Sequence, residues 1–226
     1  MNRKDIEKTK KEIYNDLKKR IKSSIKETNF KFRDYLIYFV EDDYIYYSML
    51  YITVKEKGYE ILTTVDAKPF EIDNIFWEIF NMPENKDEPA SLRAIGAFTI
   101  LPLEIGEFKL FCDDISADYS VEMLEGIKDI IIKFNTRYEN DNDAFYKLVD
   151  NENYIDRDLV KMLYLIKQEK YQEALDIVTV LLDNYEYGKF RDDKKSINEY
   201  IRDYCLKKLG RKIPRKSIIK KIFGGR

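Results

Sequence analysis

Glu107-Phe108-Lys109, with Glu104 upstream and Asp113-Asp114 downstream, is the best arrangement of side chains able to do chemistry in this chain. Carboxylates and amines dominate the choice because none of the 226 residues is a histidine. Histidine is the usual general base, the commonest metal ligand, and the side chain whose ordinary pKa lies nearest neutral pH. Its absence excludes a Ser-His-Asp triad, a Cys-His pair, a histidine-ligated zinc and a histidine proton relay. Cys112 and Cys205 are 93 positions apart and fit neither a CxxC nor a zinc spacing. They are expected to be reduced and buried, Cys205 beside Ile201 and Leu209. The eight glycines form neither of the usual phosphate-loop patterns. Two acidic clusters, Glu41-Asp42-Asp43 and Asp141-Asn142-Asp143, lack the glycine and bidentate glutamate of a calcium loop. The first reads as a hairpin turn and the second as a helix N-cap. No metal or cofactor is expected.

The Glu-x-Lys pattern on a predicted strand, with an acid upstream, resembles the metal-binding core of restriction-type nucleases. The resemblance implies carboxylates that hold Mg²⁺ and a lysine that polarises the attacking water. The upstream Pro-Asp element of that core is missing, and a solvated strand face accounts for the same residues.

Charge bears more directly on partners. The net charge of −2 conceals a strong segregation. Residues 1–27 carry ten basic and five acidic side chains, and residues 207–226 carry nine basic and none acidic. The middle, 28–206, holds 21 basic and 37 acidic residues, a net of −16. Such a body attracts a basic partner and repels a polyanion, so any nucleic-acid contact is confined to the ends. The tail Arg211–Arg226 interleaves lysine and arginine with isoleucine. It either docks on the domain or meets phosphates, an acidic partner or an anionic membrane surface.

These residues must be positioned by a fold, and the pattern predicts α+β. Residues 4–27 read as an amphipathic helix with Ile6, Ile13, Leu17, Ile21 and Ile25 on one stripe. Phe30–Val40, Tyr44–Val54 and Tyr59–Val65 read as an antiparallel meander whose middle strand is apolar on both faces. Lys68-Pro69 is expected to break it, and Phe70–Met82 to form a helix capped by Asp73. A polar loop over 83–91 leads to two strands, Ala97–Ile105 and Glu107–Cys112, joined at Gly106. Helices follow over 120–138 with Ser120 as cap, then 141–149, 156–168, 171–185 and 192–209. The last carries a capping box at Ser196 and Glu199 and a C-terminal Gly210. The expected layout is a sheet of about five strands with an inserted helix over 1–115, a helical region over 116–210 packed on it, and the basic tail 211–226. Whether the first two make one domain is left open.

Leu163-Tyr164-Leu165, Lys170-Tyr171-Gln172-Glu173-Ala174-Leu175 and Leu181-Leu182 together resemble one helical hairpin of the tetratricopeptide kind. Ala174 sits where such hairpins need close helix approach, and no 34-residue repeat follows. The N-terminus has no apolar leader, and no apolar run is long enough to span a bilayer, so a cytoplasmic protein is expected. In size, acidity and lack of catalytic residues the chain resembles the small immunity proteins that protect bacteria from polymorphic toxins, with no diagnostic motif. That resemblance implies a non-catalytic binding protein that neutralises a basic protein. The acids at expected turns, Glu41, Asp42, Asp43, Asp113, Asp114 and Asp118, are its candidate contacts. A helical adaptor module and a Mg-dependent nuclease using Glu107 and Lys109 remain the alternatives.

Overall fold

The structure, a computed structural model, describes residues 3–41, 43–114, 117–139, 141, 143–151, 154–193 and 195–213. Asp42, and the tail from Pro214 onward, lie outside them. The fold is α+β. The described residues fall into two compact units divided between Val160 and Lys161.

The first unit opens with α1 (Arg3–Ser24), whose predicted stripe buries Ile13, Leu17 and Ile21. Five strands follow: β1 (Lys31–Arg33), β2 (Leu36–Glu41), β3 (Tyr44–Val54), β4 (Tyr59–Pro69) and β5 (Leu103–Cys112). Their order in the sheet is the order of the chain, and every pairing is antiparallel. The count of five matches the expectation, but the strands differ in two places. Phe30–Val40 is two strands, because Asp34 turns the chain with φ of 54°. Nothing local demands that turn. Tyr14 of α1 stacks on Tyr35 at 4.0 Å and its hydroxyl donates to the Asp34 carbonyl, so tertiary contacts hold it. At the other end, the two strands expected to meet at Gly106 are one, β5. Gly106 lies beside a bulge where the register shifts opposite Val65 and Asp66.

One sheet face packs under α1 and α4 (Ser120–Arg137), burying Ile37, Phe39, Tyr46, Leu50, Ile61 and Val65 against Met123, Ile127 and Ile131. Packing is close at Gly126, where an added Cβ would lie 2.4 Å from the Phe108 ring. Ser120 does not cap α4 but is its first residue; Asp118 accepts hydrogen bonds from the Ser120 N–H (2.9 Å) and hydroxyl (2.7 Å).

Among the described residues, the opposite face is covered at one end, by the insertion between β4 and β5. That insertion holds α2 (Phe70–Ile79) and α3 (Ser91–Ile95), the latter unforeseen by the polar reading of 83–91. Lys68-Pro69 does not break the meander, since β4 runs through it and α2 starts at the next residue. Asp73 is not a cap either. Its carboxylate and the Lys68 ammonium are both fully buried and 2.8 Å apart. The other Asp73 oxygen accepts the Ile100 N–H at 2.9 Å, and the Arg93 guanidinium lies 3.9 Å away. Lys68 also donates to the Ile100 carbonyl at 2.8 Å. Arg93 sits over the Phe70 and Trp77 rings at 3.7 and 4.6 Å. These contacts tie the insertion to the sheet. Past them the face opens, leaving Tyr51 and Phe111 about half exposed (49% and 55%).

The first unit ends with α5 (Ala144–Asn151) and the start of α6 (Arg157–Lys167). In the second unit, α7 (Tyr171–Asp183) makes its closest approach to α8 (Ile197–Lys208). Ala174 is fully buried, as are Ile201 and Cys205. The capping box forms: the Glu199 N–H donates to the Ser196 hydroxyl and the Ser196 N–H to the Glu199 carboxylate. The helix starts at Ile197 rather than at Asp192, whose N–H instead donates to the Lys195 carbonyl at 3.1 Å. Gly210 ends the helix at φ +67°, its N–H on the Lys207 carbonyl and that of Arg211 on Leu206.

Candidate functional site

The tip of the β2–β3 hairpin, the last turn of α4 and the start of α5 enclose an open cleft of about 330 Å³. Glu41 ends β2 and pairs with Tyr44, the first residue of β3, so the intervening turn has two residues. The Phe70 N–H donates to the Asp43 carbonyl at 2.5 Å and fixes the tip at the start of α2. Alternation along β3 turns Tyr44 and Tyr46 to the α4 side, where they meet Phe134 and Tyr138, one helical turn apart. Tyr44 and Tyr46 lie 5.9 Å apart in stacked orientation, Tyr44 and Phe134 6.0 Å edge to face, and Phe134 and Tyr138 5.1 Å. The Tyr46 hydroxyl donates to Asn135 Oδ1 at 2.5 Å, and Asn135 Nδ2 donates to Glu41 at 3.2 Å. Hairpin and helix are thereby locked together. The result is an aromatic floor of which Tyr44 and Tyr138 are only partly buried, the Tyr44 hydroxyl being the buried end of its side chain.

Carboxylates rim that floor: Asp43, Glu139 and Asp141 line the cleft. Burial pushes the Tyr44 hydroxyl up to about 12, and the negative charges of Asp141, Asp143 and Glu71 add to it. The α4 C-terminus beside the cleft adds the negative end of a helix dipole, roughly half a charge. One cation sits inside this arrangement. Lys147 reaches both Asp141 oxygens at 2.7 and 2.8 Å and holds that carboxyl below the ordinary range. Asp43, Glu139 and Asp143 have no ion-pair partner among the described residues. The balance of the cleft is negative. Aromatic rings and carboxylates together are groups able to hold a cation.

A second cleft, of about 290 Å³, shares Phe134 and Tyr138 as a wall and is lined by Glu104, Lys133 and Arg137. Arg137 lies over the Tyr138 ring at 5.3 Å. Two cations beside one carboxylate leave this neighbour without the same preference.

The six acids singled out from the sequence fall into two groups. Glu41 and Asp43 flank the first cleft, with Asp42 outside the described residues. Asp113, Asp114 and Asp118 follow the end of β5, which pairs with Tyr59 at the start of β4, whereas the hairpin tip lies beside the end of β4 at Pro69. The length of β3 separates the groups by about 30 Å. Asp113 accepts the Tyr119 hydroxyl at 2.9 Å, and the Asp114 N–H donates to that same oxygen. Asp118 has its helix-start role; against the upward push of partial burial, the Ser120 hydrogen bonds and nearby Arg20 hold its carboxyl below the ordinary range. These three acids thus have local structural partners.

The Glu-x-Lys residues share one sheet face without converging. Lys109 lies 2.8 Å from Glu107 in an exposed pair that raises the lysine above its ordinary range. Glu104 sits beyond the bulge, opposite Asp66. Burial first, and then Glu104, push the Asp66 carboxyl up to about 7. Among the described residues, no three histidine, cysteine or acidic side chains form a group able to hold a metal ion. Nor, among them, is any helix long and apolar enough to cross a membrane. In the second unit, Val180 on α7 and Tyr185 just past it are exposed (61% and 80%).

Of the rim, sequence reasoning named Asp43 as a contact, read Asp141 as a helix cap and did not single out Glu139; it missed the floor. Tyr44, Tyr46 and Phe134 read only as core. The available signal was the Phe134/Tyr138 spacing at a helix end, followed at once by Glu139 and Asp141. The chain matches no protein-family model, no curated protein and no solved structure.

Proposed function

We propose that this chain is a non-catalytic binding protein that takes up a basic segment of a partner protein in the cleft of Tyr44, Phe134, Tyr138, Asp43 and Glu139. The observation that carries this reading is the coincidence of an aromatic floor with an acidic rim and a helix C-terminus, all on the acidic body of the chain. A lysine or arginine side chain satisfies all three at once. Field lines from a body of net −16 over residues 28–206 would speed its approach. Neutralisation of a basic protein, as immunity proteins do, is the role this fits.

Calorimetric titration with a lysine- and arginine-rich peptide over a salt series tests it. Binding should weaken as salt rises. Asp43→Lys with Glu139→Lys should weaken it roughly tenfold and flatten the salt dependence. Tyr138→Ala should weaken it roughly fivefold with the salt slope kept, because a ring face is lost and no charge. Binding that is indifferent to the charge reversal removes the cleft from the interface.

A further inference from the structure

β5 is an edge strand of ten residues, and among the described residues no strand pairs with its outer side. Among the described residues its substantial neighbours are β4 along one side and α4 on one face. No backbone hydrogen bond from outside the sheet reaches it among those residues. A long open edge is a template for another strand, and proteins usually blunt it with unpaired charge, proline or a short strand. Here the one lysine is already paired with its own Glu107, Pro102 lies outside the strand, and Phe111 is exposed. The bulge at Ile105-Gly106 leaves Gly106–Cys112 as the regular stretch.

The geometry points to a second copy of this chain as the occupant of that edge, its β5 antiparallel to the first about a two-fold axis at Phe108. The charge order selects this register. Side chains directly opposite in an antiparallel pair share a face, so a two-fold axis must pass through a residue. Centred on Phe108, each Glu107 faces the other copy's Lys109, and the two in-chain pairs close into a ring of four alternating charges. Centred one residue earlier, Glu107 faces Glu107; one residue later, Lys109 faces Lys109. Both neighbouring registers oppose like charges, which destabilises a strand pair. The chosen register also pairs Gly106 with Leu110 on the face toward α4 and leaves Phe111 at the margin, over the bulge. Two five-stranded sheets become one of ten.

Sedimentation velocity on the full chain, across a concentration series, reads the association. Wild type should show a concentration-dependent dimer. Glu107→Lys and Lys109→Glu should each raise the dissociation constant tenfold or more, by placing like charges opposite. The swap, Glu107→Lys with Lys109→Glu, should bring it back to within threefold of wild type. Both side chains are solvent-exposed, so circular dichroism should show all three variants folded. A wild-type chain that stays monomeric overturns the proposal. A dimer whose constant ignores the single reversals, or does not recover in the swap, overturns it equally.

Discussion

Replacing Asp73 with asparagine should unfold the sheet unit more readily than replacing the lysine paired with it. Asp73 and Lys68 are both fully buried, 2.8 Å apart, with Arg93 a further 3.9 Å from the same carboxylate oxygen. The cluster therefore holds two cations and one anion. Asp73→Asn keeps an acceptor for the Ile100 N–H but removes the carboxylate that faces both buried cations. Breaking a buried pair in that way costs about 3–5 kcal/mol. Lys68→Met leaves Asp73 facing Arg93 and the Ile100 N–H, a balanced pair. It costs the Ile100 carbonyl its donor, so about 2–3 kcal/mol is expected. The assay is urea unfolding followed by Trp77 fluorescence. Trp77 is the single tryptophan, is fully buried and lies 4.6 Å from Arg93, so it reports this cluster directly. The double variant should be less destabilised than the two singles added together, because removing the carboxylate matters less once the lysine is gone. Lys68→Met costing as much as Asp73→Asn, or strictly additive losses, would refute this account of the cluster.

Other outcomes can be checked alongside. Asp66 has its folded pKa raised from 3.8 to about 7, so its contribution to stability is fully present below pH 4 and is lost as pH rises through 7. Asp66→Asn should remove that slope and stabilise the protein at pH 8, by about 2 kcal/mol allowing for partial exposure, in thermal melts from pH 5 to 8. Gly126→Ala in α4 would ordinarily gain about 1 kcal/mol of helix propensity, but its Cβ would meet the Phe108 ring at 2.4 Å. A net loss of about 1–3 kcal/mol is expected on chemical denaturation, and a gain would show that Phe108 moves freely. Ser196→Ala removes both hydroxyl contacts of the α8 capping box and should cost about 1 kcal/mol, read as faster amide exchange over residues 197–200.

The parts of the fold that show in the sequence are those set by near neighbours. The two-sided apolar pattern of β3, the stripe of α1 and α4 and the Ser196 capping box each depend on residues within a turn or a pleat of one another. What stayed hidden depends on distant partners. Lys68-Pro69 looks like a strand breaker until α2 and the Ile100 segment arrive to bury the lysine. Asp73 looks like a cap for the same reason, since its true partners lie on β4 and beyond α3. The Asp34 turn carries no glycine or proline, and Tyr14 holds it from another element. The cleft divides along the same line. Its acidic tip is a local turn signal, whereas its floor joins Tyr46 to Asn135 and Glu41 to Asn135 across 89 and 94 positions.

The consecutive order of the strands has a consequence for how the chain comes off the ribosome. β1 to β4 occupy residues 31–69 with short turns between them, so each hairpin can close on its predecessor as it emerges. β5 arrives only after the excursion through residues 70–102, and α4, the main cover of the first face, comes later still. For that interval the nascent protein carries β4 as a bare margin, and its apolar face with Tyr46, Leu50, Ile61 and Val65 has α1 but not yet α4 to cover it. The buried Lys68–Asp73 contact lies at the root of this excursion and shortens it by anchoring α2 against β4 as soon as both exist. Synthesis that pauses between residues 70 and 102, or a weakened anchor, should therefore appear as insoluble protein in cells before any loss of stability is measured in the purified chain.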